Sequence, residues 1–181
     1  QKNPSRWSLR QLYFAHVALT DVQGQTFRFG EKLSREGLGK SGAKQDRMQV
    51  WIDNWTLEPI LGNHKQLRIK AAHEDFGIDL VLTAEKLPII HGQQGISRKG
   101  REKDAAAHYY SLTRLGTKGE ILVGSEQFDV SGLSWMDHEF GSGSLGEDQV
   151  GWDWFSLQLG SKIELMVYLL RHSDGTIDPA S

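Results

Sequence analysis

The chain has 181 residues, about the length of one domain and enough to bury a core. Its 21 Lys and Arg against 23 Asp and Glu leave a formal charge of -2, which excludes the basic excess of a nucleic-acid footprint. Cysteine is absent, which excludes disulfides, thiolate metal sites and cysteine nucleophiles, and no apolar run is long enough to cross a membrane as a helix.

The chain opens at Gln1 and stops at Ser181, just after Asp174-Gly175, a turn signal that ordinarily introduces another strand. This predicts a piece of a longer protein, with any targeting signal outside it. Leu12 to Leu19 carry apolar residues on both alternating sets, as in a strand buried on two faces. A turn at residues 22–25 leads to Phe27 and Phe29. Residues 36–47, with three glycines among charges, read as a loop. Met48 to Leu57 read as one strand with Trp51, Asp53 and Trp55 on a common face. Leu67, Ile69 and Ala71 alternate, and Phe76, Ile78, Leu80 and Leu82 give the cleanest alternation in the chain.

Residues 85–107 interrupt the pattern with glycines and a charged cluster, and predict a long flexible loop. Beyond it, His108 to Leu115 read as a strand, Gly116 to Gly119 as a turn and Glu120 to Val130 as the return strand. Trp135 to Phe140 continue in extended form. Gly151 to Leu159 and Ile163 to Arg171 read as a hairpin across Gly160-Ser161. No segment carries a sustained helical period. Nine or ten strands with short connections make the class all-β, and closure into an antiparallel barrel would remove the sheet edges.

Three motif matches lead nowhere. Gly141 to Gly146 fit G-x-G-x-x-G, but a strand follows rather than the helix whose N-terminus would hold a pyrophosphate. Asn54-Trp55-Thr56 is a glycosylation sequon beside a Trp expected to be buried. No G-x-S-x-G elbow occurs.

One constellation carries chemistry. His108 and Tyr110 share a strand face, as do Trp135, Asp137 and Glu139 further on. Convergence of His108, Tyr110, Trp135 and Asp137 in an aromatic cavity would desolvate Asp137 and raise its pKa, as a general acid requires. The bland alternative places Asp137 and His138 at a strand end. His16, amid Tyr13, Phe14 and Val17, reads as a packed core residue or a ligand contact. Trp152 and Trp154 share a face and either pack in the core or line a ligand cavity. His64, His73, His91 and His172 read as solvated. Asp137, Glu139 and His108 could supply metal ligands, but neither metal nor cofactor is expected.

Leu12-Tyr13-Phe14-Ala15-His16, Val50-Trp51-Ile52-Asp53-Asn54-Trp55, His91-Gly92, Tyr109-Tyr110-Ser111-Leu112-Thr113-Arg114-Leu115, Trp135-Met136-Asp137-His138-Glu139 and Gly151-Trp152-Asp153-Trp154-Phe155 occur in this order. Together they resemble the AttH-like proteins related to hydroxyneurosporene synthase, the carotenoid hydratase family. The resemblance covers nearly the whole chain. It implies a calycin, lipocalin-like β-barrel, incomplete in this fragment, with a second lipocalin-like domain in the full protein. In the hydratase branch an acid on the segment matching Trp135-Met136-Asp137 protonates an isolated alkene, and the carbocation takes up water. By position Asp137 would be that acid, with His108, Tyr110 and Trp135 around it. The hydratases tend to carry Tyr where Trp135 stands and Trp where Tyr110 stands, a departure that bears on a carotenoid substrate.

Two functions of different class follow. One is a lipocalin-like module, periplasmic or secreted, that holds a lipid or isoprenoid with Trp152, Trp154, His16 and Glu139 among its contacts. The other is a hydro-lyase acting on such a ligand through Asp137. They part at Asp137 and His108: the catalytic version needs the carboxyl inside the cavity, on the same side of the wall as His108.

Overall fold

A computed structural model describes residues 11–37, 39–100, 105–141, 145–146 and 148–179. Its strands, in chain order, are β1 (Leu12–Asp21), β2 (Thr26–Arg35), β3 (Ser41–Ala43), β4 (Val50–Ile52), β5 (Trp55–Pro59), β6 (Gln66–His73) and β7 (Phe76–Ala84). There follow β8 (Ile89–Ile90), β9 (Ile96–Arg98), β10 (Ala106–Val123), β11 (Glu126–Phe140), β12 (Gln149–Gln158) and β13 (Glu164–His172). The chain is all-β and antiparallel, as the alternation predicts, and the described strands do not close into a barrel. They fall into two compact units, Gln1–Thr83 with Thr117–Gly132, and Ala84–Gly116 with Leu133–Ser181. No described helix is long and apolar enough to cross a membrane.

In the first unit β1 and β2 form a hairpin running from Leu12↔Arg35 to Asp21↔Thr26, its turn held by the Gly24 N–H donating to Asp21 Oδ1 at 2.8 Å. The second sheet has the order β11-β10-β7-β6-β5-β4-β3. Val17, Trp55, Ala71 and Phe76 form the buried cluster, and the Trp55 indole N–H donates to the Ala72 carbonyl at 2.7 Å. Phe76 and Leu82 are buried and Ile78 and Leu80 half-buried, so the cleanest alternation in the sequence is a core strand.

Three expectations are corrected here. β1 is a strand, but only Val17 of it is buried, and Leu12 and Phe14 stand in solvent. Residues 48–57 are two strands rather than one. The chain reverses at Asp53-Asn54, where Asp53 takes φ 50°, a conformation Asp tolerates in tight turns, and Ile52 pairs with Trp55 across it. Gly116 to Gly119 make no turn: β10 runs through them, and the reversal comes at Gly124-Ser125. Gly119 is a point of close approach, because a Cβ there would lie 2.1 Å from the Asp79 carbonyl oxygen of β7.

In the second unit the interruption at 85–107 holds β8 and β9, both paired to β10 through Tyr110↔Ile90, Ser111↔Ile89, Ala107↔Ser97 and His108↔Ile96. Residues 101–104 of the charged cluster lie outside the described residues, as do 142–144 of the glycine-rich match. β12 and β13 form the expected hairpin, from Gln149↔His172 to Gln158↔Glu164. Gln158 ties that hairpin down by donating to the Thr113 and Ser134 carbonyls at 2.7 and 3.0 Å. The buried Glu164 carboxylate accepts from Arg114 Nε at 2.5 Å and from Lys86 Nζ. Burial works to raise the Glu164 pKa, but these two cations outweigh it and hold the carboxyl below its ordinary value.

Candidate functional site

Side chains on a strand alternate between faces, so the register of β10 against β11 decides what Asp137 meets. Ser111 Oγ donates to Asp137 Oδ1, and the Trp135 indole N–H donates to the same oxygen at 2.9 Å. On the other side of Ser111, His91 Nε2 lies 2.7 Å from its Oγ. A hydroxyl has one proton to give. With that proton on Asp137, Ser111 accepts from His91, which fixes the imidazole as the Nε2–H tautomer. The result is a directed chain, His91 to Ser111 to Asp137. Ser111 is fully buried, so water does not compete for its hydroxyl.

His91 is placed by its neighbours. Its backbone N–H donates to the Tyr109 carbonyl at 3.0 Å, and its ring stacks on Tyr109 with centroids 4.2 Å apart. The next residue must be glycine: Gly92 takes φ 66°, and a Cβ there would stand 2.0 Å from the Ile96 carbonyl oxygen. Burial pushes the His91 pKa below its ordinary value, the Asp137 charge opposes this, and Lys99 adds to it. Burial also pushes the Tyr109 phenol above its usual value. The Trp154 indole beside its hydroxyl pulls the other way, and the Asp137 charge pushes with burial. Tyr109 is therefore a neutral donor whose hydroxyl adjoins Trp154, Ser111 and Asp137.

Tyr109 and Trp154 carry this network to a cavity of about 400 Å³, whose lining also includes Trp152, Tyr168, Leu170, Lys99 and Glu139. Trp135 meets Trp154 edge-on with centroids 6.2 Å apart. Lys99 Nζ sits 4.9 Å from the Tyr109 ring and 4.7 Å from the Tyr168 ring, and 3.4 Å from Glu139 Oε1.

The structure brings Trp135 and Asp137 together, and Trp152, Trp154 and Glu139 line the adjoining cavity. It does not bring His108 and Tyr110 to them. Those two project from the opposite face of β10, where His108 stacks on Phe140 at 5.2 Å and the Tyr110 hydroxyl meets His138 Nδ1 at 2.9 Å. The parity of the strand explains this: Ser111 stands opposite Asp137, so Tyr109 faces the site and its neighbours on either side cannot. Asp137 is itself exposed, so the described residues do not enclose it as expected. His16 belongs to the first unit, half-exposed between Phe14 and Phe29 and 3.5 Å from Glu31 Oε2. Among the described residues no three His, Asp or Glu are placed to hold a metal ion.

Sequence reasoning missed His91, Tyr109, Ser111 and Lys99. His91 sits near turns and charges, a setting that points to a solvated side chain. Its signal was the His91-Gly92 pair within the family pattern, together with the alternation of Tyr109, Ser111 and Thr113, which are all buried.

The AttH-like family model matches residues 1–181, so the chain belongs to the AttH-like family. The crystal structure of a Nitrosomonas europaea protein assigned as an AttH is similar to it at 31% identity, with a TM-score of 0.85 over 96% of this chain and 53% of that one. Kievitone hydratase from Nectria haematococca shares the fold at 14% identity, with a TM-score of 0.64 over 91% of this chain and 53% of that one. The chain thus spans about half the length of both. No curated protein matches it.

Proposed function

Taking AttH-like membership as the premise, we propose that this chain binds an apolar lipid or isoprenoid molecule in the aromatic cavity of its second unit. The observation that carries this is the cavity of about 400 Å³ walled by Tyr109, Trp152, Trp154, Tyr168 and Leu170, with Lys99 and Glu139 as its charged groups. Such a wall favours an apolar body through area burial and ring contacts. A place outside the cytoplasm, and a second lipocalin-like domain of the same chain, belong to the same proposal. Calorimetric titration with geranylgeraniol tests it. Saturable binding at one site is expected, weakened roughly tenfold, or about 1.4 kcal/mol, by Trp154→Ala. Equal binding by the variant would place the ligand elsewhere, and no heat of binding in either protein would end the proposal.

A second reading, a hydro-lyase that adds water to an isolated alkene, is favoured by the chain His91-Ser111-Asp137. The version with Asp137 enclosed in a cavity beside His108 is discarded, because Asp137 is exposed and His108 lies on the opposite face of β10. In its place, the Asp137 carboxylic acid gives its proton to one alkene carbon. Water adds to the cation at the other carbon and loses a proton. The Asp137 carboxylate takes that proton back, one O–H bond forming as another breaks, while the His91 Nε2–H and the Ser111 hydroxyl hold the carboxylate in place. The name of the hydratase neighbour agrees with this chemistry at the level of fold. Asp137→Asn should abolish water addition and leave geranylgeraniol binding intact, because proton donation is needed only in the transition state. Turnover that survives this change removes the reading.

A further inference from the structure

The lining of the cavity holds one charge that an all-hydrocarbon ligand would leave stranded. Lys99 Nζ is held between the faces of Tyr109 and Tyr168, at 4.9 and 4.7 Å. Its side chain is 17% exposed, against 42% for Glu139, its ion-pair partner at 3.4 Å. The position of Lys99 is also fixed from behind, since its carbonyl accepts from the Gln149 amide at 2.7 Å and its N–H donates to the Ala105 carbonyl at 2.8 Å. An ammonium carries three donors, and here they meet two ring faces and one long carboxylate contact. The acid partner is the exposed and movable member of the pair. The cation is the fixed one. Covering that cation with hydrocarbon costs its remaining hydration, whereas an anionic group set against it replaces that hydration with charge-assisted hydrogen bonds.

We infer that the ligand of this cavity is an amphipathic carboxylate, its apolar body on Trp152, Trp154 and Leu170 and its carboxylate on Lys99, displacing Glu139. This rests on the binding reading above and names the class of molecule bound. The two rings supply the reason a lysine serves here. They hold a charged group beside an apolar wall without a second acid to neutralise it.

The test compares dodecanoate, 1-dodecanol and dodecylamine, titrated calorimetrically into the full chain at pH 8, where the fatty acid is ionised. Dodecanoate should bind at least about tenfold more tightly than dodecanol. Lys99→Met should erase that preference, bringing dodecanoate affinity down to that of dodecanol in the same variant. Glu139→Gln, which removes the competing carboxylate, should tighten dodecanoate severalfold, and it stands as an independent arm if Lys99→Met does not fold. Equal binding of acid and alcohol, or tightest binding of the amine at Glu139, would overturn the carboxylate assignment while leaving apolar binding intact. Failure of all three chains to bind would overturn both.

Discussion

The first unit contains a larger and more apolar hollow than the second, yet the hydrogen-bond chain to Asp137 and the ring-held Lys99 lie in the second. The groove of the first unit measures about 530 Å³ and is walled by residues such as Phe14, Val17, Trp55, Ile69 and Ile78. Both basic groups in its lining have acidic partners: Lys70 pairs with Asp79 at 2.8 Å, and His16 lies 3.5 Å from Glu31. The cavity of the second unit is smaller, about 400 Å³, but a cation held between tyrosine rings and a three-residue hydrogen-bond chain meet its wall. Volume and apolarity alone describe a core that is imperfectly filled. Convergent polar groups distinguish a site.

That contrast can be broken by experiment. The largest effect is expected from Trp55→Ala, which empties the buried cluster of the first unit and removes the hydrogen bond to Ala72. Chemical denaturation should show a loss of about 3–5 kcal/mol. Affinity for geranylgeraniol should stay within about twofold under folding conditions. A parallel collapse of binding would mean that the two hollows do not divide the work between structure and function.

A smaller effect is expected at Asp79, also in the first unit. Arg68 donates to both its oxygens at 2.7 Å, and Lys70 adds a second cation. The Arg68 hydrogen bonds, opposed by burial and helped by Lys70, hold this carboxyl at about 2, against an ordinary 3.8. A folded pKa below the unfolded one contributes stability that is complete above about pH 4 and is lost as pH falls toward 2. Asp79→Asn should therefore cost about 1 kcal/mol at pH 7, as a partly exposed ion pair allows, and only a small fraction of that near pH 2. Equal losses at both pH values would show that the carboxylate charge is not what holds this pair.

The smallest effect sharpens the second unit. Burial lowers the His91 pKa below 6.5, so the unfolded chain takes up this proton first as pH falls. Stability should decline from about pH 6.5 downward, and His91→Gln should remove that component of the acid slope while keeping a donor toward Ser111. An unchanged slope in the variant would place His91 in solvent and break the chain to Asp137.

Period-two patterning sufficed for the all-β class and for β7, because every second residue there is apolar and one face is buried. It also located β6 and the β12–β13 hairpin, whose ends carry unambiguous turn residues. The family pattern marked out Trp135 and Asp137 as neighbours. It did not establish which face of β10 they meet. His108-Tyr109-Tyr110-Ser111 offers an aromatic or polar candidate on either face, so the alternation is silent about parity.

What the sequence determined by itself, then, is local: strand identity, the absence of thiol and basic-patch chemistry, and the family to which the residues point. Tertiary structure decided everything that depends on register. Gly116 and Gly119 looked like a turn, but the close approach of the β7 backbone requires glycine at 119, and β10 continues through both with Ser111 opposite Asp137. His91 and Lys99, drawn from a segment with no regular period, become site residues only because β8 and β9 pair with β10. The physical reason is that a pleated strand repeats every two residues. A side chain's neighbours in the chain then say what it can be, and only the partner strand says what it faces.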